Sequence, residues 1–533
     1  MISVGEATIR LLARYGVDTV FGIPGVHTLE FCRGLAEGSS VTHIQARNEM
    51  GAGFMADGYA RSTGRPGVAL TISGPGVTNA TTALGQSYAD SVPMLLISAE
   101  ATSESLGKGW GVLHEVTDLN AVTRPLTALS ECATKPEDIP QLFAQAFEIF
   151  ASTRPRPVHI SIPIDVLATL VEDNWQPVSP PQRPLPDPEA ITAAAKLLGK
   201  AISPLVLVGG GASEAAADVI ELVERLGAIA ISSNAGKGIV PDDHPLSLGG
   251  AISHPLCHKI VEEADVVLAV GTELSETDSY IQKLNFGGSL IRVDIDPHKM
   301  NDRYPANVSI VSDAAPAVAA LLQALDRSSP AAGGNERVSR TLGAMPDGLR
   351  DAERKHLKVL QVVRQALPNE AIVMGDACQL TYSASSFLPF NQPRRFHYAA
   401  GYCALGFAFP NAIGAKLAHA DLPVLAMAGD GGSMFSIQEL VTASQNKLPI
   451  PLILWHNDGY QQIRDDMRNG NFPRVGVDGL APDFPALAKA MHCHATQPQS
   501  AEELSSAIKE AFNADRPTVI LVHENSAWLA TSD

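Results

Sequence analysis

Short apolar runs, most of them ending in Gly or Pro, alternate along the chain with helical patterns. They are VALTISGPG and PMLLISAE early on, PLVLVGGG and ADVVLAVG in the middle, and PVLAMAGDG and PIPLILWHNDG late. A strand that feeds a helix reaches its next sheet position by crossing over, so successive strands pair in parallel and need helices on both faces. At 533 residues the chain exceeds the roughly 250 to 300 residues at which one core stops growing, so several such units are required. Gln176 to Glu189, rich in Pro, and Asp326 to Gly348, rich in Ser, Gly and charge, read as linkers. The expectation is an α/β chain of three doubly wound parallel-sheet domains, at 1–175, 189–326 and 349–533.

A formal charge of -18 argues against nucleic acid and anionic membrane as partners, because both repel an acidic surface. No apolar run reaches the about 18 residues of a membrane span. The opening MISVGEATIRLLARYGV reads as an amphipathic helix carrying charges, not as a signal peptide. The six cysteines, Cys32, Cys132, Cys257, Cys378, Cys403 and Cys493, form no CxxC pair and no zinc spacing, which fits a reduced cytoplasm. Small molecules are the expected partners.

In doubly wound sheets, ligands bind where loops leave the carboxyl ends of strands. The strand PVLAMA runs into GDGGSMFSIQELVTASQ, and a helix is predicted to begin near Ser433 or Ser436. Backbone amides at Gly431, Gly432 and Ser433 suit phosphate oxygens. Asp430 beside a diphosphate would be repelled unless a hard divalent cation, Mg2+, lay between them. Asn457 comes 27 positions after Asp430, at the end of the next buried strand. Its amide oxygen, the Asp430 carboxylate and the Gly459 carbonyl could share octahedral coordination with phosphate and water.

This arrangement closely resembles the diphosphate signature of thiamine diphosphate enzymes of the acetolactate synthase and pyruvate decarboxylase superfamily. HIQARNEMGAGFMADGYARSTGRPGVALTISGPGVTN resembles that family's pyrimidine-binding domain over nearly its whole length. The resemblance implies pyrimidine-binding, central Rossmann-like and diphosphate-binding domains in that order, with thiamine diphosphate and Mg2+ as cofactors. It makes Glu49 the acid that hydrogen-bonds the aminopyrimidine and favours the tautomer able to take the thiazolium proton. It assigns the bulky support beneath the bent cofactor to Leu405 in AAGYCALGFAFP, and diphosphate contacts to Gln379 and Asp376 in MGDACQL. The turns GIPGVH, with Pro24 and Gly25, and SGPGVTN, with Pro75 and Asn79, line the same pocket. The resemblance also implies a homodimer or homotetramer with active sites at subunit interfaces.

Several departures narrow the member. GGGAS lacks the full GxGxxG register, and GTELSETDSY stands where acetolactate synthases carry Arg-Phe-Asp-Asp-Arg, so a bound flavin (FAD) is not expected. NDGYQQIRDDMRNGNFP replaces the synthase Gly-Met-Val run and its Trp, and LHE replaces the adjacent His pair of pyruvate decarboxylases. Ile72 and Val26 stand where benzoylformate decarboxylases place His and Ser. His27 and His114 remain as candidate proton carriers. Asp465 and Asp466, on a helix expected to cover the entrance, read either as a solvated face or as carboxylates for a guanidinium tail. The combination is most similar to bacterial 5-guanidino-2-oxopentanoate (2-ketoarginine) decarboxylases, which implies loss of CO2 from a 2-oxo acid. The alternatives are an acetolactate synthase-like carboligase condensing two 2-oxo acids, a flavin or nicotinamide oxidoreductase, and a noncatalytic cofactor-binding homologue.

Overall fold

The structure, a computed structural model, describes residues 1–36, 38–326 and 329–530. It contains three all-parallel sheets, of six, five and six strands in chain order. The first runs across Thr42–Gln45, Thr19–Gly22, Gly67–Thr71, Met94–Glu100, Val158–Pro163 and Leu129–Cys132. The second runs across Ile229–Ser232, Pro204–Val208, Val266–Val270, Ser289–Asp294 and Val308–Val311. The third runs across Phe396–Tyr398, Ile372–Gly375, Val424–Gly429, Pro451–His456, Thr518–His523 and His494–Thr496. In each sheet the first strand in sequence lies between the second and the third, so the winding reverses there. In such sheets the loops leaving the first and third strands turn to opposite faces, which makes this the switch point at which doubly wound sheets bind ligands. Among the described residues, no helix is long and apolar enough to cross a membrane.

The first and third sheets share one continuous apolar core. Its seam is the helix Glu49–Thr63 against the helix Ala408–Ala418. A Cβ on Gly58 would stand 2.2 Å from the Asn411 carbonyl oxygen, and one on Gly414 would stand 1.9 Å from that of Met55. Only glycine lets the two backbones approach so closely. Arg61, its side chain 8% exposed in the seam, pairs with Asp57 and, at 2.7 Å, with Asp90.

Residues 174–187 form no helix or strand, as the first linker requires, but Asp187 caps a helix that begins at Pro188. Aspartate at the cap followed by proline in the first turn is a strong start signal. The second linker is corrected: the helix Gly334–Ala344 and the turn Met345–Gly348 occupy most of it. Val338 and Met345, two helical turns apart, are buried against the middle sheet and hold the segment down.

The first and middle sheets are clamped at Glu273, which receives Ser91, Arg154, Arg156 and Lys299 at 3.0, 2.9, 3.1 and 2.9 Å. Burial alone would raise its pKa, but Arg154, Arg156 and Lys299 outweigh burial and hold it at about 2. A depressed carboxylate stabilises the fold above its unfolded value of 4.5 and loses that contribution as pH falls toward about 2. Glu273→Gln is therefore expected to lower the thermal midpoint at neutral pH and to flatten its decline over that acid range, as followed by calorimetry.

Candidate functional site

At the first switch point, the turn after Thr19–Gly22 meets the turn after Gly67–Thr71. His27 is buried, and its Nδ1 lies 2.9 Å from Ser73 Oγ. Its ring stands edge-on to that of His114, 4.9 Å between centroids. Burial, and then the neighbouring His114, lower the His27 pKa. His114 arrives on the loop that contains Gly107, Gly109 and Gly111, all at positive φ, and itself has φ 61°, uncommon for a side chain of its size. Its Nδ1 is buried without a partner. Gly74 makes room: a Cβ there would be 2.6 Å from the His114 carbonyl oxygen, and its φ of 55° with ψ of -110° suits glycine alone.

Asn48 caps the helix Glu49–Thr63 by accepting from Met50 N, so Glu49 sits in the first turn, where a carboxylate is favoured. Glu49 is 8% exposed, and its Oε2 receives Asn79 Nδ2 at 2.9 Å. Ile72 wedges beneath, its Cγ2 methyl 2.6 Å from where a Cβ on Gly25 would lie and its Cγ1 methylene 2.8 Å from where one on Gly76 would lie. Pro24 and Pro75 are exposed on the two turns.

Beside the third sheet's switch point, which lies between Ile372–Gly375 and Val424–Gly429, the strands Val424–Gly429 and Pro451–His456 are neighbours with Gly429 opposite Trp455, which puts Asp430 beside His456 and Asn457. Asp430 accepts Gly431 N at 2.8 Å and Gly459 N at 3.0 Å. Its carboxylate thus ties the ends of both strands together. A Cβ on Gly431 would meet the Tyr460 ring at 2.9 Å, and one on Gly432 would meet Leu405 Cδ2 at 3.3 Å. Asp376 lies fully buried beside this turn, accepting Ala377 N and Gly406 N, and burial pushes it up to about 6 against those donors. The donor set of one carboxylate, an amide oxygen and backbone carbonyls is hard and oxygen-only, so it fits Mg2+ with a diphosphate. Among the described residues, no three His, Cys, Asp or Glu side chains gather as a metal-holding group.

Three expectations change here. The helix after the Asp-Gly-Gly turn does not start at Ser433 or Ser436: a single turn spans Asp430–Ser433, and the next helix is Glu439–Gln445. Ser433 Oγ bonds back to Asp430 O and Ser436 Oγ to Gly406 O, so both hydroxyls pin loops instead of starting a helix. Asp465 and Asp466 differ in burial and in partners. Asp465 is buried and receives Gln379, Gln461 and Arg468 at 3.1, 2.8 and 2.7 Å, whereas Asp466 is exposed and receives Gln462. Gln379 therefore spends its Nε2 on Asp465 and Gln462, leaving a buried Oε1 without a partner.

Among the described residues, no hydrogen bond links Glu49, Asn79, His27 or His114 directly to Asp430, Asn457 or Gln379. Other side chains connect the two groups. Glu439, unremarkable in sequence, accepts the backbone N–H groups of Arg47 and Asn48 just before Glu49. Gln86 and Asp90 accept Ala404 N and Gly401 N, fixing the loop that carries Leu405. Sequence offers no signal for such pairs, because they join residues more than 300 positions apart.

Gly74→Ala is expected to cost about 1–3 kcal/mol from strain and overpacking. It should also move the His114 imidazole, read by urea denaturation and by 15N-histidine spectra. Gly109→Ala, also at positive φ but with open space around it, should leave His114 in place.

The chain matches the N-terminal TPP binding domain of thiamine pyrophosphate enzymes over residues 2–122, the central domain over 191–321 and the C-terminal TPP binding domain over 376–522. It is 46% identical over 526 residues to the probable 2-ketoarginine decarboxylase of Pseudomonas aeruginosa, covering 97% of this chain and 93% of that one. The acetolactate synthase isozyme 1 large subunit of Escherichia coli is 32% identical, covering 85% and 81%. The probable acetolactate synthase large subunit of Methanocaldococcus jannaschii is 31% identical, covering 97% and 90%.

Proposed function

The chain belongs to the thiamine pyrophosphate enzymes, and we propose that it decarboxylates 5-guanidino-2-oxopentanoate, the 2-ketoarginine for which its Pseudomonas aeruginosa relative is named. The observation that carries this reading is the meeting of His27 and His114 on one side of the Gly74–Gly76 turn and of Glu49 and Asn79 on the other. When bound, thiamine diphosphate supplies the electron sink that lets a 2-oxo acid lose CO2. The protein must activate that cofactor and return one proton to the carbon that lost its carboxylate. Asn79 holds one carboxyl oxygen of Glu49, and the Glu49 carboxyl would hold a proton toward the bound cofactor. His114 delivers the proton to carbon, beside His27.

Asp430, the Asn457 amide and the Gly459 carbonyl would hold Mg2+, and the amides of Gly431, Gly432 and Ser433 would receive the diphosphate. Leu405, against Gly432, is the apolar support. Pro24, Gly25 and Pro75 line the turns, and Ile72 fills the floor between them. Asp465 positions Gln379, which leaves exposed Asp466 to receive the guanidinium tail.

In this reading residues 1–175 form the pyrimidine-binding domain, 189–326 the central scaffold and 349–533 the diphosphate and Mg2+ domain. Each site joins the first domain of one subunit to the third of another, in a homodimer or homotetramer. Exposed Val26, Leu29, Trp110 and Leu113 beside the first switch point, and Met434 and Phe435 beside the second, support a covering partner. A cytoplasmic setting agrees with six free cysteines. The central switch point supports a flavin-free enzyme: Gly211 N bonds to Gly271 O at 3.1 Å, so its two loops pack backbone against backbone.

The test is CO2 release by purified protein with thiamine diphosphate, Mg2+ and a panel of 2-oxo acids. The expected result is at least about a tenfold preference in kcat/KM for the guanidino acid over pyruvate, no 450 nm absorbance, and a KM about five- to tenfold higher for that acid alone in Asp466→Asn. Equal rates on pyruvate with acetolactate accumulating would replace this reading with the carboligase for which the other relatives are named.

A further inference from the structure

Ser73 is fully buried, and its hydroxyl has one hydrogen-bonding neighbour among the described residues, His27 Nδ1 at 2.9 Å. A hydroxyl hydrogen shut away from water must reach an acceptor or forfeit about 1–3 kcal/mol. With no other acceptor in reach among the described residues, the hydroxyl donates to Nδ1, which makes Nδ1 the bare nitrogen. The hydrogen of the neutral ring then sits on Nε2. Burial and the nearby His114 both disfavour a charge on His27, in agreement with a neutral ring. His114 differs: its buried Nδ1 has no partner, and its backbone is held in the left-handed region by the loop that delivers it.

We propose that Ser73 is a positioning residue that fixes His27 as the neutral Nε2–H tautomer, a hydrogen-bond donor, and so leaves His114 as the imidazole that carries the exchangeable proton. The division of roles rests on the decarboxylase reading, but the tautomer does not. It needs only the buried hydroxyl and its single acceptor.

Selective 15N-histidine labelling of the full-length enzyme tests it, with the His27 signals assigned by their loss in His27→Asn. The expected spectrum has His27 neutral with hydrogen on Nε2. Ser73→Ala should convert it to a mixture of tautomers and lower kcat about tenfold with cofactor affinity unchanged, the effect of one hydrogen bond. Ser73→Thr, which keeps the hydroxyl, should restore the single tautomer and most of kcat. Hydrogen on Nδ1 in the unmodified enzyme, or an unchanged His27 spectrum in Ser73→Ala, would overturn the proposal. The expected spectrum together with no CO2 release from any 2-oxo acid would overturn the decarboxylase reading while supporting the Ser73 assignment.

Discussion

Where the helices Glu49–Thr63 and Ala408–Ala418 cross, Gly58 and Gly414 bring one backbone directly against the other. Glu49 is the first residue of one helix, and Leu405 lies just ahead of the other, so the seam sets how two candidate site residues stand in the chain. The polar contacts around it reinforce the placement. Arg61 sits between Asp57 and Asp90, and Asp90 in turn accepts Gly401 N at the start of the Leu405 loop. Glu439 returns from the third sheet to cap the chain before Glu49. Removing one member of such a buried ionic group leaves an uncompensated charge and costs about 3–5 kcal/mol.

The three sheets reverse their winding at the same point, yet among the described residues the loops of the first and third sheets gather the candidate site residues. In the first and third sheets the diverging loops bring histidines, carboxylates and glycine turns together. In the middle sheet the corresponding loops close on each other through Gly209, Gly211 and Gly271, and its charged groups go into the Glu273 clamp with the first sheet. In the proposed function the same topology serves as binding site twice and as scaffold once.

Much of this was legible in sequence because it is local. The strand-to-turn runs located all three sheets, and the two strands ending at Asp430 and Asn457 are adjacent as their apolar runs required. Glu49 heads its helix behind an asparagine cap. What sequence missed depends on distant partners. The adjacent letters Asp465 and Asp466 point in different directions on their helix, one into Gln379 and one to solvent. The helix Gly334–Ala344 is written in loop-like residues and is held by two apolar contacts. Glycines and hydroxyls that bond backbone shortened the helix expected after Asp430.

In the proposed function the two chemical crevices form one cofactor site across two subunits, with Glu49 from one chain and Asp430 from the other. Coexpression of Glu49→Gln and Asp430→Asn chains tests it directly, because a mixed dimer would carry one doubly damaged site and one intact site. Each variant alone should be inactive in CO2 release, and the mixed dimer should recover about half the activity of the unmodified enzyme, one intact site of two. A mixed dimer as inactive as its parents would show that Glu49 and Asp430 serve the same site within one chain, or no common site, and would contradict the claim.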